Sequence, residues 1–209
     1  MSMTSMPRER YRWTSSVPFL LLQLSLLVPI FTGVTWQMVV LCLVSYYLRM
    51  FGVTAGYHRY FSHRAYKTGR IFQFLLAFLA QTSAQKGALW WTSHHRHHHR
   101  YSDEVEDVHS PRHRGFWYSH IGWILSTRWE KTDFDRVKDL AKYPELRFLS
   151  KHHLLPPVLY AAAMLALFGG QGLLWGFFIS TTLLYHGTFT INSLAHVFGR
   201  SRYPTGDTS

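Results

Sequence analysis

The chain has 209 residues, with 22 Lys and Arg against 11 Asp and Glu, 14 His and a single Cys. That is room for one domain or one compact membrane unit, and one cysteine excludes a disulfide framework. Hydrophobic residues at 47% and aromatic residues at 17%, with only 16% charged, exclude intrinsic disorder and leave too few charges for an ordinary soluble surface.

The charges are segregated. Residues 13–48 and 154–199 contain no Asp, Glu, Lys or Arg, whereas residues 49–153 hold 17 of the 22 bases and 9 of the 11 acids. As one helix, the first uncharged run of 36 residues would be about 54 Å long, against roughly 30 Å of hydrocarbon in a bilayer. It must fold back, and Thr32-Gly33-Val34-Thr35 is the expected turn between spans at 17–31 and 36–51. Residues 154–199 repeat the arrangement, with Gly169-Gly170-Gln171-Gly172 between spans at 154–168 and 173–192. The expected fold is therefore all-α. An integral membrane unit carries four transmembrane helices in two hairpins (17–52 and 154–196), with segment 53–153 as a helical, His-rich cap.

Neither turn is charged, while Arg8, Arg10, Arg12, Arg49, Arg59, Arg64, Arg200 and Arg202 lie at the opposite helix ends. The distribution of bases then places both termini (1–16 and 197–209) and the cap in the cytoplasm. The net charge of +11 reads as topology and attraction to anionic lipid, and no nucleic-acid partner is expected because the bases form no separate polar domain. Residues 71–85 are uncharged but too short to cross, so they should lie against the membrane or on other helices. Arg128 to Lys151 mixes charged and apolar positions at helical spacing and suits a surface helix. Cys42, alone in an apolar span, reads as a small core residue.

The histidines fall in three groups at helix ends on one expected membrane face: His58-Arg-Tyr-Phe-Ser-His63, His94-His95-Arg-His97-His98-His99 and Asn192-Ser-Leu-Ala-His196. On an α-helix His95, His98 and His99 fall within about 100° of one another, whereas His58 and His63 are about 140° apart and need a helix end or bend between them, for which Gly56 or Ser62 would serve. Converging imidazoles without thiolates point to a borderline transition metal, and six of them exceed one tetrahedral zinc site, which favours two metals or a higher coordination number. The bland alternative is a low-complexity tract that is merely solvated or scavenges metal. Asp103, Glu104, Glu106 and Asp107 could orient ligand imidazoles or form a solvated loop. His152 and His153 suit an interface or capping role. His186 lies inside a span, where a hydrogen-bonded packing role is expected.

Gly52-Val-Thr-Ala-Gly-Tyr-His-Arg-Tyr-Phe-Ser-His63, His95-Arg-His-His-His99, Arg114-Gly-Phe-Trp-Tyr-Ser-His-Ile-Gly-Trp123 and Asn192-Ser-Leu-Ala-His196 together resemble the membrane acyl-CoA desaturases of the stearoyl-CoA Δ9 type. The resemblance covers residue 13 to the end and keeps the motifs in order. It implies a di-iron centre with His58, His63, His95, His98, His99 and His196 as ligands and Asn192 acting through water, above a bent acyl tunnel shaped by Trp91 and Thr188. It marks His109, His113 and His120 as structural. It also implies O₂ as oxidant, a fatty acyl-CoA or other acyl lipid as substrate, and a cis double bond, Δ9, as product.

Two features depart from the family. A third box, His-Asn-x-His-His, lies beyond the point where this chain stops at Asp207-Thr208-Ser209, so an incomplete C-terminus and an incomplete metal site are expected. The Arg-Asp pair that contacts coenzyme A in animal members is Ser93-His94 here, which leaves the acyl carrier open. Removing hydrogen from unactivated methylenes is beyond side-chain acid–base chemistry, so a cofactor must carry that step. The chain has no haem, flavin or iron–sulfur motif, and electrons are expected from a ferredoxin or small haem cytochrome with its reductase. Two other readings stay open: a membrane di-iron hydroxylase of lipids or alkanes, and a non-enzymatic metal transporter or metal-binding membrane protein. A transporter should place ligands near mid-membrane.

Overall fold

The structure, a computed structural model, describes residues 9–11 and 13–198, the side chains of Trp13 and Ser15 excepted. The expectations for Arg8, Arg12, Arg200, Arg202 and the segment after 198 lie outside the described residues. Among the described residues the chain is all-helical, with one isolated bridge from Tyr11 to Ser126 and no strand.

Helical stretches Trp13–Leu24, Ser25–Leu27 and Pro29–Thr32 end at Gly33, whose φ of 76° suits a residue without Cβ. Thr35 is extended, and the helix Trp36–Phe51 begins after it. Helix Leu155–Gln171 is broken at Gly169, with φ 66° and ψ −162°, before Gly172–Ile179 and Ser180–Val197. Both reversals thus fall within the glycine turns expected from sequence. Two stretches, Trp36–Ser62 and Leu155–Val197, are long and apolar enough to cross a bilayer. The second has 43 residues and would span about 65 Å if straight, so the break at Gly169 matters. Ser16–Thr32 is a shorter apolar helix. Ile30, Phe31, Trp36, Val44, Val158 and Leu167 are each more than half exposed, and such an apolar surface calls for lipid or another apolar partner.

The arms of the first pair do not serve chiefly as each other's partners. Ser180–Val197 sits between them. On one side Thr182 donates to Leu22 O at 3.0 Å and Phe19 stacks on Tyr185. On the other, the Ser45 and Ser180 hydroxyls lie 3.3 Å apart. Cys42 packs in a small core with Trp175 and Ile179.

Arg49 is fully buried, not at the surface where the count of topology charges placed it. It donates to Ser45 O, Thr82 O, Thr181 Oγ1 and Ser180 Oγ, at 3.2, 3.3, 2.6 and 2.5 Å. Hydroxyls and carbonyls, with no carboxylate in ion-pair reach among the described residues, take the place of water around this cation.

Beyond Phe51 the helix continues as Gly52–Ser62 with π-type bonding. Arg70–Gln81 packs on it through Leu76, Ala77 and Ala80 while Ile71, Phe72 and Leu75 face outward. The contact requires glycine: a Cβ on Gly52 would lie 2.8 Å from Ala80 N. Gly52→Ala is therefore expected to destabilise the fold by about 1–3 kcal/mol, read as a lower unfolding midpoint in detergent.

The expected single helix from 128 to 151 is instead four short pieces, Thr127–Trp129, Phe134–Val137, Lys138–Ala141 and Pro144–Lys151. Asp133 caps the second by accepting from Asp135 N, and Pro144 starts the last at a position where its missing N–H costs nothing. His152 closes that last piece, donating its N–H to Phe148 O.

Candidate metal centre

The π-type segment is what brings His58 and His63 together. Its bonds run from residue i+5 to residue i, as in His63 N to His58 O at 3.0 Å, and a five-residue separation then returns close to the same helix face. The two Nε2 atoms lie 3.1 Å apart; there is no break at Gly56, but the segment ends at Ser62, one of the two places expected, with His63 as its cap. Helix Ala88–Arg100 carries the second box. Arg96 inside that box clamps the two segments: it donates to Phe61 O and Ser62 O and pairs in bidentate fashion with Asp139.

Four imidazoles converge in a first group, His58, His63, His95 and His99. Nε2 of His63 is 3.1 Å from that of His95, which is 3.0 Å from that of His99. A second group contains His98, His109 and His196. His98 donates through Nδ1 to Asp107 Oδ1 at 2.8 Å, which fixes the tautomer and turns the Nε2 lone pair to the group. His97 points away, bonded to Glu106 O at 2.7 Å.

His109, read from sequence as structural, belongs to this second group: its ring lies 4.1 Å from that of His98, and its buried Nδ1 has no protein partner. The Asp-x-His spacing, which puts a carboxylate and an imidazole on one short loop, was the available signal. Of the four acids after the second box, Asp103 and Asp107 are buried, and Glu104 and Glu106 are exposed. The donor set fits metal ions: imidazole nitrogens facing one another at hydrogen-bond distance cannot all carry and share protons, whereas each can give a lone pair to a cation.

Burial, reinforced by neighbouring imidazoles, holds the His95 and His109 rings well below the ordinary histidine range. Burial lowers His63, and burial with His98 nearby brings His99 to about 4. Burial also takes His94, bonded to Trp90 O, to about 4. Burial raises the Asp107 carboxyl, but the His98 hydrogen bond and charge outweigh it and the net direction is down. His63, His95, His99 and His109 are thus held towards the neutral form that a ligand needs. Their folded-state values lie below the unfolded one, so on acidification the unfolded chain takes up protons first. The unfolding midpoint of the metal-free chain is expected to fall as pH drops from about 6.5 to about 4, and to fall further below that as the depressed Asp107 carboxylate takes up its proton. A flat midpoint across that window would contradict the burial of these rings.

Beside the histidines lies a cavity of about 230 Å³, lined by Phe19, Trp90, Trp123, Ile124, Leu125 and Phe189, with His95, His109 and Asn192 at the metal groups. Trp91 and Thr188, the two expected tunnel residues, line it too. They are joined through Gln85, which sequence reading missed: Trp91 Nε1 donates to Gln85 Oε1 at 3.4 Å, and Gln85 Nε2 to Thr188 Oγ1 at 3.0 Å. Trp91 also stacks on the His95 ring at 4.6 Å, so the cavity wall touches a candidate ligand. Ser93 and His94 are buried.

His186, as expected, is hydrogen-bonded within the bundle. His186 pairs through Nε2 with Gln23 Oε1 and through Nδ1 with His120 Nε2, at 3.0 and 3.1 Å, and His120 Nδ1 reaches Ser193 Oγ at 2.8 Å.

Residues 34–209 match the family model described as fatty acid desaturase. The chain belongs to the fatty acid desaturase family. It is 31% identical over its whole length to the sn-1 stearoyl-lipid 9-desaturase of Anabaena variabilis, covering 78% of that protein. It is 34% identical to Delta-9 acyl-lipid desaturase 2 of Arabidopsis thaliana over 93% of this chain, and 33% identical to the acyl-CoA C20 Delta5-desaturase of Anemone leveillei over 84%. The chain spans 63% and 57% of those two relatives. As a fatty acid desaturase it is an oxidoreductase of lipid metabolism, and its two histidine groups could hold the metal on which such chemistry depends.

Proposed function

We propose that the chain is an O₂-dependent fatty acyl desaturase that introduces a cis double bond, at Δ9, into a saturated acyl chain carried by coenzyme A or by a lipid. The observation that carries this reading is that both histidine groups meet one cavity whose other walls are aromatic and aliphatic. The names of two relatives, 9-desaturases of lipid-bound acyl chains, favour the position, and the acyl-CoA enzyme among the relatives keeps coenzyme A in the substrate class.

His58, His63, His95, His98, His99 and His196 would hold two irons, with Asn192 acting through water. Iron so bound supplies the oxidising power, drawn from O₂ and external electrons, that removal of hydrogen from a methylene demands. The protein's own part is placement. The Trp91–Gln85–Thr188 bridge lines the cavity beside His95 and would fix which carbons lie nearest the ligands. Phe19, Trp123 and Phe189 exclude water, and Asp107 holds His98 in the tautomer a ligand needs. Four membrane spans with the histidines on the cytoplasmic side would put the site within reach of a soluble ferredoxin or a small haem cytochrome.

Expression of this chain in a desaturase-deficient host tests the reading. New monounsaturated lipid with a cis bond at C9 supports it. Hydroxylated lipid would shift the assignment to a hydroxylase, and metal loading without any change in lipid would favour a metal-binding membrane protein.

A further inference from the structure

Between helices Arg70–Gln81 and Ala88–Arg100 the backbone is held in an unfavourable shape. Ala84 and Lys86 have φ of 59° and 60°, in the left-handed region that side chains with a Cβ rarely adopt. Such conformations persist only where the surroundings impose them. Here Tyr185 donates to Ala84 O and Tyr57 to Lys86 O, both at 2.7 Å, and Gly87 lies so close to Ser150 that a Cβ would meet its Cα at 2.6 Å. Two tyrosines from different helices thus pin a strained turn. The strain has a visible result: it sends Gln85 across the cavity to Thr188 and lays Lys86 along the cavity wall.

Among the described residues that line the cavity, Lys86 is the one with a fixed charge. Its ammonium lies 4.6 Å from the Trp90 ring centre and donates to Glu130 O at 3.3 Å. The Glu130 carboxylate acts on it at longer range, and burial lowers its pKa. An ammonium has three N–H donors, of which one backbone acceptor uses one. A half-buried cation at the wall of a cavity lined mainly by aromatic and aliphatic side chains is matched by an anion attached to an apolar chain.

We propose that Lys86 recognises the acyl carrier, its ammonium binding an anionic phosphate oxygen of the group to which the acyl chain is attached. This rests on the reading of the cavity as an acyl site. Coenzyme A and a phospholipid both present such oxygens, whereas a galactolipid presents none. Lys86 would then do, from another position, what the buried Ser93 and His94 are not placed to do.

The test is binding to the detergent-solubilised full chain, followed by quenching of tryptophan fluorescence, since Trp90, Trp91 and Trp123 line the cavity. The probes are a dibrominated stearoyl chain on coenzyme A, on phosphatidylglycerol and on monogalactosyldiacylglycerol. Lys86→Asn removes the charge with a residue that tolerates the left-handed backbone. It is expected to weaken whichever phosphate-bearing probe the wild type prefers by about tenfold and to leave the galactolipid unchanged, while Lys86→Arg keeps affinity. The preferred probe identifies the source of the phosphate. Equal affinity of Lys86→Asn and wild type for both phosphate-bearing probes overturns the proposal. So does equal weakening of all three probes, which makes Lys86 structural only. If the wild type binds none of the three, the acyl-cavity reading itself fails.

Discussion

His95→Ala is expected to strip the four-histidine group of any metal it holds, lowering bound cobalt or iron by that group's share and leaving the His98–His109–His196 group its own. The effect should be this large because His95 is the hinge of the group: its Nε2 lies within 3.1 Å of both the His63 and the His99 nitrogens. Its ring is also the one that Trp91 stacks upon, so its loss opens the wall between metal and cavity. His97→Ala, two residues along the same helix, is the control. His97 is bonded to a backbone carbonyl and faces away, and metal content should not change. Elemental analysis of the purified variants reads both, and metal content in His95→Ala equal to that of the wild type would rule out the four-histidine group as a metal site.

The second large effect is expected at Asp107, which donates nothing to a metal. Both of its oxygens are in use: Oδ1 accepts from His98 Nδ1 and from His109 N, and Oδ2 from Asp103 N. Asparagine has the same shape but must turn an NH₂ towards one of these donors. The His98 ring then keeps at best a neutral acceptor in place of the carboxylate that sets its tautomer, and metal affinity at the His98–His109–His196 group should fall by about 10–100-fold. Chelator competition on Asp107→Asn resolves this, with the four-histidine group as internal reference. Equal weakening of both groups would point to a general loss of fold.

Much of this architecture was legible in the sequence because it rests on simple physics. Uncharged runs too long for one crossing had to reverse, and Gly33 and Gly169 take the backbone angles that the reversals need. The three histidine groups were separable by their positions at helix ends, and the structure brings members of all three together. What escaped depends on the third dimension. The 140° argument for His58 and His63 assumed an α repeat, and nothing in the linear pattern announces a π-helix. Arg49 looked like an interfacial charge because hydroxyls at Ser180 and Thr181, 131 and 132 residues away, are invisible to any local window. His109 was set aside on resemblance although its spacing from Asp107 carried a signal. Gln85 and Lys86 reach the cavity through the turn that aims them, and positive φ at Ala84 and Lys86 cannot be read from residue types that normally avoid it.

The i+5 bonding of Gly52–Ser62 has a genetic corollary. A π segment is what an α-helix becomes when it accommodates extra residues without losing its continuity. Loss of a single codon between His58 and His63 would let the segment relax to the commoner helix and would still leave two imidazoles side by side, now four apart. Everything downstream, from Arg70–Gln81 to the pinned turn at 84–86, would be swung round the axis by one residue. Spacing of the pair can therefore drift in evolution only if the packing of Gly52 and Gly56 on Ala80 and Leu76 is redrawn with it.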